Sequence, residues 1–118
     1  MSDRFADRLD PATYAADEPV GAGMSGDYSD WVYVPDRLFD RIQHLARAYD
    51  LHVLPSLHPH RRNELDHDRT ASLIEELEFL VEVVNDPALL AAIAVLRDAA
   101  SRVLRDPIRS KNFLIEGP

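Results

Sequence analysis

The chain has 118 residues, enough for one domain with a modest core of its own. Its formal net charge of -8 works against binding nucleic acid or an anionic membrane surface, both of which draw on clustered Lys and Arg. With no cysteine it has no disulfide framework, thiol nucleophile or thiolate metal site.

Residues 1–30 carry seven acids against Arg4 and Arg8, and they mix Asp, Ala and Pro with Gly21, Gly23 and Gly26 around Met24. That composition predicts a flexible acidic arm over residues 1–29 and one compact domain over residues 30–118. The alternative is an arm that packs Tyr14, Val20 or Tyr28 onto the domain. The opening SDRFADRLD is polar and acidic where a secretory leader is basic and then apolar, so a soluble cytoplasmic protein is expected.

Trp31, Val32, Tyr33 and Val34 stand between Asp30 and Pro35 and predict a strand. Pro35 and Asp36 then open a helix to about Tyr49, with Leu38, Phe39, Ile42, Leu45, Ala46 and Tyr49 as its apolar stripe. Leu51, His52, Val53 and Leu54 suit a short strand or the frayed end of that helix. Pro55 and Pro59 break regular structure, which leaves a loop over residues 55–63.

A second helix is expected from near Asp68 to near Asn85, with Leu73, Ile74, Leu77, Leu80, Val81 and Val84 on its buried side. Asp66 or Asp68 can cap it. Its other side lines up Glu75, Glu78, Glu82 and Asp86, with Glu76 at the edge. Like charges at these spacings cost only about 0.2–0.5 kcal/mol per pair, little against an apolar face worth several. The fold tolerates the stripe, but helix stability does not explain it.

Asp86 can cap a third helix that opens with Pro87 at its first turn and buries Leu89, Leu90, Ile93, Leu96, Ala100, Val103 and Leu104. The short connection between the two makes them antiparallel neighbours. Asn112, Phe113, Leu114, Ile115 and Glu116 read as a closing strand. Its backbone groups need a partner. The expected fold is α+β and mainly helical: three helices packed with a small two- or three-stranded antiparallel sheet from regions 31–34 and 112–116, residues 51–54 being the optional third strand.

Chemistry is best sought around His52, His58, His60 and His67, which lie near Glu64, Asp66 and Asp68. Imidazole and carboxylate would serve a metal or an acid/base pair, with Arg61 or Arg62 holding an anion. No HExxH spacing, GxSxG elbow, dinucleotide fingerprint or P-loop accompanies them, so no catalytic residue, metal ligand or cofactor is assigned. Arg97, Arg102, Arg105, Arg109 and Lys111 form a weakly basic region suited to salt bridges with the acidic helix or a dimer mate.

The separation of acidic from apolar surface favours a protein-binding module over an enzyme. Small, acidic, cysteine-free chains of this kind resemble, in size and charge, immunity proteins and antitoxins that block a basic toxin enzyme. The resemblance implies an inhibitor whose partner-binding residues would be Glu75, Glu76, Glu78, Phe79, Glu82 and Asp86, with His58, His60, Arg61 and Arg62 adding specificity. Tyr28, Trp31 and Tyr49 are further candidate anchors. Two other expectations stand beside it: a homodimeric structural or regulatory adaptor, and a small hydrolase or metal-binding protein using His60, His67 and Asp68.

Overall fold

The computed structural model describes residues 18–26, 28–106 and 111–118. The elements run β1 (Pro19–Met24), β2 (Val32–Pro35), α1 (Asp36–Ala48), α2 (Val53–Ser56), β3 (Arg62–Leu65), α3 (His67–Val83), α4 (Pro87–Arg105) and β4 (Phe113–Glu116). The fold is α+β, mainly helical, with a four-stranded antiparallel sheet in the order β2-β1-β4-β3.

The helices carry the expected local signals. Asp86 accepts a hydrogen bond from the Ala88 N–H at 2.8 Å with Pro87 at the start of α4, and Asp66 accepts from the Arg69 N–H at 2.8 Å at the start of α3. Leu89, Ile93, Leu96, Ala100 and Val103 bury the inner side of α4, which packs on α3 and on β1 and β2. Each fully buried leucine or isoleucine there contributes about 1.5–3 kcal/mol.

The sheet differs from expectation in three ways. The regions 31–34 and 112–116 do not pair with each other: β1 lies between them, with Val20 opposite Val34 and Ala22 opposite both Val32 and Ile115. Residues 19–24, assigned by composition to the arm, are therefore an inner strand; residues 1–17 lie outside the described residues. Residues 51–54 add no strand, since Val53 opens the one-turn helix α2; the fourth strand is β3, within the stretch expected as a loop.

Packing explains the glycines of β1. Val20, Ala22, Val34, Leu65, Phe113 and Ile115 face the helices and join the core. Gly21 and Gly23 face the other way, and Trp31 lies across them: a Cβ at Gly23 would sit 2.4 Å from the indole Cδ1. The indole Nε1–H donates to the Met24 carbonyl at 3.1 Å, and Tyr28 stacks on the ring with centroids 4.7 Å apart. The glycines that read as a loop signal are the bed for an aromatic cover on the helix-free face of the sheet.

Trp31 is the only tryptophan, so its emission reports on this cover. Gly23→Ala is expected to displace the indole, shift its emission to the red and cost about 1–3 kcal/mol in urea unfolding. Unchanged emission and midpoint would contradict the packing described.

Candidate functional site

The most built surface lies where the end of α1 meets α3. Tyr49 ends α1, and Asp50 takes a left-handed conformation with φ 57°. The Leu51 N–H donates to the Ala46 carbonyl at 2.9 Å and the Asp50 N–H to Arg47 at 3.1 Å, the paired bonds of a Schellman ending. Aspartate stands where glycine is usual, as its short polar side chain permits. The chain is thereby turned back toward α3.

Glu76 then fixes the returning segment. Its Oε2 accepts the N–H groups of His52 at 2.9 Å and Val53 at 2.8 Å, and Oε1 accepts that of Leu54 at 2.9 Å. At the other end of α2 the buried Gln43 of α1 donates through Nε2 to the carbonyls of Leu54 at 2.9 Å and Leu57 at 2.8 Å. Glu76 is thus a buried cap of α2 rather than the edge of an exposed stripe. It turns α3 so that Thr70, Leu73, Glu76, Leu77 and Leu80 face inward while Val81, expected in the core, is exposed.

Between this segment and α3 lies an open groove of about 400 Å³ lined by Leu51, His52, Val53, Ser72, Glu75, Glu76 and Phe79. Phe79 is 38% and Tyr49 45% exposed, and the two rings meet edge to face with centroids 5.3 Å apart. Glu75, Glu78 and Glu82 are exposed on the same helix, and no ion pair engages them among the described residues. Asp86, aligned with them in sequence, is committed elsewhere: besides capping α4 it pairs with Arg41 at 3.1 Å.

The other candidate residues lie apart from this face. His58, His60 and Arg61 are exposed in the turn before β3, with the His58 and His60 rings 6.4 Å apart. Arg62 lies on the helix-free face of the sheet, paired with Glu116 and donating to the Tyr28 hydroxyl at 3.1 Å. Hydrogen bonding to Glu116, then its charge, raises the Arg62 guanidinium above its ordinary pKa. Among the described residues no hydrogen bond or ion pair joins residues 58–62 to Glu75, Glu78, Phe79 or Glu82, and none of residues 58–62 lines the groove beside Phe79.

The acid/base candidates hold the local structure. His67 Nε2 lies 2.8 Å from the Lys111 carbonyl, which can only accept, so that nitrogen carries the proton. Glu64 accepts from Asn112 at 2.6 Å, and Asp66 caps α3. Among the described residues no group of three His, Asp or Glu side chains is placed to hold a metal ion, and no helix is long and apolar enough to cross a membrane.

Comparison with models of known protein families, with curated proteins and with solved structures gives no match.

Two outcomes follow from this geometry. Glu76→Ala strands three N–H groups at the start of α2 and is expected to cost about 3 kcal/mol, read by urea unfolding. A loss under about 0.5 kcal/mol would mean that the cap is not holding α2. Burial pushes the Asp86 carboxyl up, but the Ala88 N–H, the Arg41 guanidinium and the Leu89 N–H outweigh it, leaving its pKa below the ordinary value. Its contribution is therefore complete above the unfolded carboxylate value and disappears as pH falls through the lower folded one. Asp86→Ala should cost about 1 kcal/mol at pH 7, and the gap from the native chain should narrow below about pH 4.

Proposed function

We propose that the protein is a small cytoplasmic binding module that docks on a basic protein through the outer face of α3, in the manner of an immunity protein or antitoxin occluding an enzyme. The observation that carries this reading is the exposed Tyr49–Phe79 pair beside an open groove on the acidic helix. Interfaces draw most of their energy from a few aromatic anchors, while charged surroundings raise encounter rate and select partners of opposite sign. Here an aromatic anchor stands among three carboxylates that have no internal counter-ion among the described residues. The docking face is Glu75, Glu78, Phe79 and Glu82 with Tyr49; Glu76 and Asp86 support it from within, and the turn at residues 58–61 and Arg62 of β3 stand apart from it.

The test is capture of a partner from lysate of the source organism by the immobilised native chain, followed by affinity measurements on that partner with a variant carrying Glu75→Gln, Glu78→Gln and Glu82→Gln. Affinity is expected to fall about tenfold or more, with a shallower salt dependence and unchanged helix content. Full affinity with the native salt dependence would remove α3 from the interface.

A further inference from the structure

We propose that the groove between α3 and residues 51–53 receives a single arginine side chain of the docking partner. The inference rests on the α3 docking reading and deepens it by naming what enters the groove.

The lining is selective in its chemistry. Leu51 and Val53 supply apolar surface, Phe79 an aromatic wall with Tyr49 against it, Glu75 a carboxylate, Ser72 a hydroxyl and His52 an imidazole. No Lys or Arg lines the groove among the described residues, and Glu78 and Glu82 are exposed further along the same helix. An anionic ligand would meet two carboxylates, Glu75 and Glu76, against the single imidazole of His52. A purely apolar side chain would bury Glu75 without a partner, which is costly. A cation on an aliphatic stem satisfies both halves of the lining.

Arginine fits this lining better than lysine. Its planar guanidinium stacks on an aromatic face and offers a carboxylate two parallel N–H groups, whereas the lysine ammonium is a compact and strongly hydrated point charge. The edge-to-face arrangement of Tyr49 and Phe79, with ring planes at 76°, leaves at least one face of each ring uncovered by the other. Glu76 is held by three backbone N–H groups, so Glu75 is the carboxylate left to bind the incoming group.

The experiment uses the full chain, uniformly labelled with ¹⁵N and titrated with blocked Gly-Arg-Gly, Gly-Lys-Gly and Gly-citrulline-Gly peptides; citrulline is the neutral isostere of arginine. The expected result is saturable movement of the His52, Val53, Ser72, Glu75 and Phe79 amides with the arginine peptide. The lysine peptide should bind more weakly and the citrulline peptide should move nothing. Phe79→Ala and Glu75→Gln should each weaken the arginine peptide about threefold, with Trp31 emission unchanged as evidence that the variants are folded. Three results would overturn the proposal: no saturable movement, equal binding of the lysine peptide, or movement spread along Glu78 and Glu82 that leaves the groove amides in place. If the triple glutamine variant loses a captured partner while the arginine peptide leaves the groove amides unmoved, the docking face stands and the arginine pocket falls.

Discussion

The four residues of α2 form a single turn, too short to be stable alone, and side chains from two other helices hold it by its ends. Glu76 places negative charge where three N–H groups converge, the favourable end of the helix dipole, and Gln43 satisfies two carbonyls at the opposite end. Burying a carboxylate is costly unless hydrogen bonds replace its water, and here three do. Among the described residues Gln43 Oε1 is buried without a hydrogen-bond partner. Because Gln43 belongs to α1 and Glu76 to α3, the two bonded ends fix the spacing of these helices and set residues 51–53 as one wall of the groove.

The same clamp sorts the acids of α3. Asp66 answers the free N–H of Arg69 at the helix start, Glu76 turns inward, and Asp86 beyond the helix end is held by α4 and Arg41. Asp68 is exposed in the first turn, and the acids left beyond it, Glu75, Glu78 and Glu82, sit on one exposed strip beside Phe79 and Tyr49. The acidity of the segment thus has two origins, structural capping and surface, and only the second is available to a partner.

Legibility in the sequence followed the range of the interactions involved. The caps Asp66, Asp86 and Pro87, and the apolar period of α4, act within one or two turns and could be read directly. Phe79 falls between the buried positions Leu77 and Leu80 of α3, outside their period, and it stands exposed beside Tyr49. The inward turn of Glu76 was hidden because its partners lie more than twenty positions away, while its sequence neighbours are all acids of a surface stripe. β1 was hidden because Gly21 and Gly23 signal loops unless Trp31 is known to lie over them. β3, with Arg62 and Glu64 pointing off the sheet and Leu65 alone fully buried, lacks the apolar alternation by which strands are recognised.

The strand order also bears on how the chain reaches this state. Among the described residues β4 is the last element, yet it lies inside the sheet and is the only strand paired with β3, so β3 has no ladder there until β4 is added across α3 and α4. Pairings over such separations close large loops before contacts repay the lost chain entropy, which makes them late and slow compared with the local α3–α4 hairpin. Until Phe113 and Ile115 dock, β1 keeps one edge open with Val20 and Ala22 on its apolar side. In the folded chain both edges of β1 are covered, one by β2 and the other by this long-range pairing with β4, so the seal on its inner edge depends on a contact between distant parts of the chain.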